Sequence, residues 1–254
     1  PPRSTLFPYT TLFRSQQLTE RVIANLIGPF PNVSCEISSA FSCCASLQDL
    51  EEVTLDHNKL SLLPSSLCEL SRLRYLSASS NTITCLPDEI GLLPSLTQLW
   101  INDCCLTHLP ESLCDLHYLE KLSVKSNNIH TLPSNLGKLK HLQWLNASDN
   151  SLQDLPASSC NLTNLTYLNL EKNQLTCVPQ PVAQLTSLTI LVLKHNAISS
   201  VSDDLIVELT NLAKLDLRDT EIAERPSHWR VCPSCTYVCL ITRSYRCLIG
   251  LVVF

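Results

Sequence analysis

Fourteen cysteines and seven histidines in a chain of 254 residues are the groups that could hold a metal or act as nucleophiles. The densest cluster, His228, Cys232, Cys235, Cys239 and Cys247, falls in one short stretch near the C-terminal end. Cys232 and Cys235 have the C-x-x-C spacing that opens a zinc knuckle. A tetrahedral site needs a second pair at C-x-x-C or H-x-x-x-H spacing, which Cys239 and Cys247 do not supply. No metal and no cofactor are therefore expected. His57 and His195 could act as bases, but neither has a nucleophile and an orienting group at a fixed spacing, so no catalytic residue is assigned and the chain reads as a non-enzyme. Four N-x-S/T triplets, at Asn32, Asn146, Asn161 and Asn164, would accept glycan in a secreted protein.

The other cysteines become interpretable only against a periodicity that runs through most of the chain. From Leu50 a leucine returns every 23 residues, at Leu73, Leu96, Leu119, Leu142, Leu165 and Leu188, and once more at Leu212 after one inserted residue. Each unit reads L-x-x-L-x-L-x-x-N, then an apolar residue two further on, then Leu-Pro and two more leucines. Alternating apolar residues such as Leu122 and Val124 predict a short strand with one buried face, and stacked units predict a parallel sheet. The ninth position carries Asn58, Asn81, Cys104, Asn127, Asn150, Asn173, Asn196 and Thr220, a ladder of donors for the backbone where the chain leaves the strand. Pro64, Pro87, Pro110, Pro133, Pro156 and Pro179 then prevent the ladder from continuing. No single unit can bury its leucines alone.

This pattern resembles the leucine-rich repeat family, and the 23-residue unit is most similar to the intracellular group that includes the Ras suppressor and Scribble-type scaffolds. The resemblance implies an α/β solenoid: a horseshoe with a parallel concave β-sheet and an irregular or short-helical convex side. It also implies a scaffold or adaptor in intracellular signalling, without catalytic residues, whose concave face binds a protein such as a small GTPase, kinase or phosphatase. The exposed strand positions are the third, fifth, seventh and eighth of each unit. The residues expected to contact the partner are Tyr75, Gln98, Trp100, Asp103, Lys121, Lys125, Trp144, Asn146, Tyr167, Glu171 and Lys194. Exposed Trp and Tyr do nothing for a core and are enriched at interface hot spots; the alternative is that they pack on one another to stiffen the sheet.

Within the repeats, Cys68, Cys114 and Cys160 share one position with Gly91, Gly137 and Ala183, so that position requires a small residue. Units two apart are separated by about 10 Å, beyond disulfide reach, and Cys85 and Cys177 are four units apart. Free thiols point to a reducing, cytoplasmic compartment. An extracellular receptor ectodomain, for which the N-x-S/T triplets argue, and the regulatory part of a larger enzyme are the alternatives.

Composition sets further bounds. Hydrophobic residues make up 44% of the chain, enough for a core, while a net charge of −5 and a pI near 5.8 give no footprint for nucleic acid. No membrane span is expected in this fragment, because the apolar closing segment is interrupted by Arg243 and Arg246. Four regions follow: 1–15, 16–49, 50–222 and 223–254. Residues 16–27 place Leu18, Val22, Ile23, Leu26 and Ile27 on one helical stripe and predict a capping helix, followed by a degenerate unit to residue 49. Residues 223–254 lose the periodicity and read as non-native sequence, with a zinc knuckle or cysteine cap as poorer fits. Pro1 to Ser15, PPRSTLFPYTTLFRS, can be spelled by codons that resemble a short-read sequencing adapter, and the chain contains no Met. The expectation is a scar joined to a fragment: genomic sequence upstream of the codon for Gln16 should differ from those codons, and finding them in the genome would reverse it.

Overall fold

A 23-residue unit commits three residues to strand and leaves the rest to turns. The computed structural model describes residues 23–25, 49–200, 209, 211–221 and 239–241. The adapter-like segment, the Asn32 triplet, most of the expected cap and most of the C-terminal tail, including His228, Cys232, Cys235 and Cys247, lie outside them. The strands are β1 (Ile23–Asn25), β2 (Glu52–Thr54), β3 (Tyr75–Ser77), β4 (Gln98–Trp100), β5 (Lys121–Ser123), β6 (Trp144–Asn146), β7 (Tyr167–Asn169), β8 (Ile190–Val192), β9 (Lys214–Asp216) and β10 (Cys239–Ile241). They form one sheet in chain order, with neighbours parallel. The register repeats the sequence period, Lys121 opposite Trp144 and Trp144 opposite Tyr167, and the inserted residue is absorbed between Ile190 and Lys214. β2 to β9 are the strands of the eight units, an open leucine-rich solenoid.

Alternation within each strand decides which side is core. The middle residues of β2 to β9, from Val53 through Leu145 to Leu215, are buried, as are the residues just after the strands, from Leu55 through Ala147 to Leu217. Short 3₁₀ turns close the other side: Ser65–Glu69, Asp88–Leu92, Glu111–Asp115, Leu136–Lys138, Ala157–Asn161 and Gln180–Gln184. Proline starts them, since its fixed φ suits a tight turn and it needs no amide partner: Pro64 has φ −69° and its carbonyl accepts the Leu67 N–H at 3.1 Å. Five of the six turns contribute a buried aliphatic residue to the core, Leu67, Ile90, Leu113, Leu136 and Val182. In the fifth of these slots the sequence offers Ser159, whose Oγ is buried without a partner among the described residues.

The chain leaves each strand through a left-handed residue. His57, Ser80, Asp103, Ser126, Asp149, Lys172, His195 and Asp219 all have φ between 50° and 57°, and none is glycine. That backbone costs about 1 kcal/mol for an L-residue, least for Asn and Asp. The next residue supplies the compensating bonds. Asn127 Nδ2 donates to the carbonyls of Val124 (3.0 Å) and Lys125 (3.2 Å) in its own turn and of Ile101 (2.8 Å) in the preceding unit, while its Oδ1 accepts the Leu106 N–H at 3.0 Å. Asn81, Asn150, Asn173 and Asn196 repeat this set. Asn58 donates to Leu55 and Asp56, Thr220 donates to Leu217, and Cys104 Sγ reaches Asn102 O at 3.3 Å and Ala78 O at 3.5 Å.

The small-residue position has a steric cause. A Cβ on Gly137 would meet the Ser158 carbonyl oxygen at 2.0 Å, and one on Gly91 the Ser112 carbonyl oxygen at 2.3 Å. Cysteine fills the same slot in the alternate units, where Cys68 and Cys114 are buried free thiols. Burial, reinforced by Glu89 and Glu69, pushes the Cys68 thiol up to about 12, and burial pushes Cys114 to about 11, so both stay neutral packing groups.

Two elements differ from expectation. Ile23–Asn25, expected within a helix, is a strand paired with β2, and Cys239–Ile241, in a tail expected to carry no repeat structure, pairs with β9. The cause is common to both: the first and last units present unpaired sheet edges, and adding a strand satisfies those backbone groups.

The amide ladder yields a stability test. Asn127→Ala leaves buried carbonyls in two units unmatched and should cost at least about 2 kcal/mol, whereas Cys104→Asn should complete the ladder and gain about 1 kcal/mol. Denaturant melts of the two variants decide the point, and equal stability of wild type and Asn127→Ala would refute it.

Candidate functional site

The face opposite the core is built from the first and last residues of each strand and the second and third residues beyond it, such as Lys125 and Ser126 after β5. Every first residue of β2 to β9 is half-buried, including Tyr75, Gln98, Lys121, Trp144 and Tyr167. Trp144 and Tyr167 are direct partners across β6 and β7, and their rings stack at 5.2 Å with an interplanar angle of 8°. Trp100, two strands from Trp144, nevertheless reaches it: the ring centroids are 5.2 Å apart at 39°. β5 allows this crossing by placing the small Ser123 opposite both Trp100 and Asn146, and Ser123 is buried on the face. Trp100, Trp144 and Tyr167 thus form one continuous aromatic surface. Tyr75, expected in the same band, makes no ring contact with them.

A polar network supports the aromatics. Asn102 Oδ1 accepts the Ser123 hydroxyl at 2.6 Å and the Lys125 N–H at 3.0 Å. Asp56 does the same for the Ser77 hydroxyl and the Ser79 N–H, each at 2.6 Å. Asn146 and Asn169 turn their Oδ1 atoms to their own chain, accepting the N–H of Ser148 at 3.0 Å and of Glu171 at 2.9 Å. Asn146, expected to contact a partner, is therefore held in place and half-buried. Glu171 and Lys194, also expected there, pair with each other at 2.8 Å, while Asp103 and Lys125 are exposed. The bridging roles of Asp56, Asn102 and Ser123 were not anticipated; the signal available was the recurrence of short polar residues at positions five and seven.

Charge is concentrated at the C-terminal end of the array. Burial raises the Asp216 carboxyl, but the Arg218 hydrogen bonds at 2.8 and 2.6 Å outweigh it and hold the pKa below the ordinary carboxylate range. His195 Nε2 lies 3.3 Å from Asp219 Oδ2. Among the described residues no group of three His, Cys, Asp or Glu could hold a metal, and no helix is long and apolar enough to cross a membrane.

A family model described as a leucine-rich repeat region matches residues 110–231. That stretch is similar to a leucine-rich repeat region, in keeping with the solenoid of the structure. Solved structures of leucine-rich repeat proteins match it over most of its length. A leucine-rich repeat protein of Leptospira interrogans is 25% identical with a TM-score of 0.59, covering 85% of this chain and 63% of its own. TLR13, in a complex with ssRNA13, is 33% identical with a TM-score of 0.63 and covers 68% of this chain. The ectodomain of the Arabidopsis thaliana membrane receptor kinase GASSHO1/SCHENGEN3, in complex with CASPARIAN STRIP INTEGRITY FACTOR 2, is 25% identical with a TM-score of 0.59 and covers 79%. This repeat chain spans 26% of each of the last two. No curated protein matches the chain.

The Asp216 pair makes the leucine-rich array acid-sensitive at one end. Because the folded pKa is depressed, its stabilisation is present above the unfolded value of about 3.9 and is lost as pH falls through the folded value. Melts from pH 6 to pH 2 should show a steeper acid loss for wild type than for Asp216→Asn; parallel curves would remove the pair as the cause.

Proposed function

We propose that this chain is a non-catalytic protein-interaction module, a cytoplasmic scaffold or adaptor in signalling that holds a partner protein on the open face of its sheet. The repeats of residues 50–222 are the binding unit, with 16–49 as its cap and 1–15 and 223–254 outside it. The observation that carries the reading is the Trp100–Trp144–Tyr167 surface: three large rings stacked on the side of the sheet away from the leucine core. Stacking costs no solubility only if something covers the outer faces, and Trp and Tyr anchors dominate interface energetics. Gln98, Lys121 and Lys125 flank the rings, with Asp103, Tyr75, Glu171 and Lys194 as an outer polar rim. A small GTPase, kinase or phosphatase matches the scale of the face, since eight strands at about 4.8 Å span about 34 Å. The buried neutral thiols of Cys68 and Cys114 support a reducing compartment.

A receptor ectodomain is the second reading. It is favoured by the exposed Asn161 and Asn164 in their N-L-T triplets and by the two receptors among the similar structures. The regulatory part of a larger enzyme is the third, and an activity assay of the intact chain decides it.

Neighbouring residues separate binding from folding. Trp144→Ala should weaken partner affinity by about 2 kcal/mol or more and cost about 1 kcal/mol of stability from the lost ring contacts. Leu145→Ala should cost about 2–5 kcal/mol of stability, with binding lost only through unfolding. The experiment identifies by mass spectrometry the proteins retained by the wild-type chain, then pairs affinities with thermal melts for both variants. Trp144→Ala binding at full strength, or melting like Leu145→Ala, would make the rings structural.

A further inference from the structure

Within the strands of the aromatic end of the open face, one residue is charged. The first and last residues of β3 to β8 number twelve, two for each of six strands, and Lys121 is the single charged one. It is half-buried between Gln98 and Trp144 and has no ion-pair partner among the described residues. The carboxylates of the face lie on β2, on β9 or beyond the strand ends: Glu52 opens β2, and Asp56 accepts the Ser77 hydroxyl and the Ser79 N–H. Glu171 is paired with Lys194 at 2.8 Å, Asp216 with Arg218 at 2.6 Å, and Asp149 accepts the Ser126 hydroxyl at 2.8 Å. Asp103 lies beyond the C-terminal end of β4, where its N–H donates to the carbonyl of Lys125, an exposed cation two residues past β5. On the neighbouring strand β4, Trp100 Nε1 is buried without an acceptor among the described residues.

We infer that the open face holds an extended acidic segment of a partner protein, with one carboxylate against Lys121 and an adjacent aromatic or apolar side chain against Trp144 and Tyr167. This rests on the reading of the open face as the binding surface. Lys121 has no countercharge among the described residues, and a carboxylate from outside adds that pairing while leaving the internal pairs intact. A basic segment would place like charges at the one point where the face has no acid. A nucleic acid needs a track of cations, and Asp103 and Asp149 interrupt this one.

The test titrates the full chain by calorimetry with a random Glu–Tyr copolymer, polyglutamate, a Lys–Tyr copolymer and poly(U). The Glu–Tyr copolymer should bind tightest and weaken as salt rises. Lys121→Glu should lose at least about tenfold in affinity with an unchanged melt, and Lys121→Arg should stay within about threefold of wild type. If Lys121→Glu melts early, Lys121→Gln takes its place with the same expectation. Equal or tighter binding of the Lys–Tyr copolymer or of poly(U), no binding of the Glu–Tyr copolymer, or indifference to Lys121 overturns the inference. Should that happen while Trp144→Ala still strips a retained protein, the acidic occupant is rejected and the binding face stands.

Discussion

A strand of three residues cannot organise a fold unless the turn that ends it is satisfied internally, and the asparagine amide does this for every unit that has one. Asn127 closes its own turn through Val124 and Lys125 and reaches back to Ile101 and Leu106 of the preceding unit. Two of its four bonds are therefore local and two are between units. Turn closure and stacking are the same event, so a unit gains its conformation only when its neighbour is in place. The left-handed residue before each asparagine is held from both sides, by the amide bonds of the asparagine and by its own N–H, which donates to the next unit as Ser126 does to the Ser148 carbonyl at 2.9 Å.

Fixed stacking gives the two sides of the sheet different tasks. The buried side is a row of leucine, isoleucine and valine with alanine at Ala78 and Ala147, bordered by the hydrogen-bonded asparagines of the turns and interrupted by Ser159. On the open side the same register aligns residues of like position into rows. One row brings Trp144 and Tyr167 into parallel contact, and the diagonal from Trp100 completes the surface because β5 contributes a serine there. The hydrogen bonds of Asn102, Asp56, Asn146 and Asn169 immobilise the surrounding positions, so the rings sit on a pre-organised support.

The repeat made most of this fold legible in the sequence. Leucine spacing and the Asn position located all eight repeat strands and their register, since burial and turn chemistry depend on period alone. Pairing of Trp144 with Tyr167 followed from register as well. The Trp100–Trp144 contact did not, because it depends on side-chain reach across a strand and on the size of Ser123. Nor did the left-handed row, since His, Ser, Asp and Lys carry no glycine-like mark. At the edges, Ile23–Asn25 belongs to an apolar stretch compatible with helix or strand, and the unpaired edge of β2 decides it. The strand at Cys239–Ile241 was hidden because its spacing from β9 departs from the period.

The account turns on recognition residing on the open face and nowhere else. Site-specific photo-crosslinking addresses this directly, with a benzophenone side chain placed at Tyr167 in the aromatic surface or at Tyr118, which is exposed and stacks on His141 between the 3₁₀ turn Glu111–Asp115 and β5. The protein retained by the wild-type chain should be captured from position 167 and not from position 118. Capture from position 118 alone would place the partner off the open face and contradict the account.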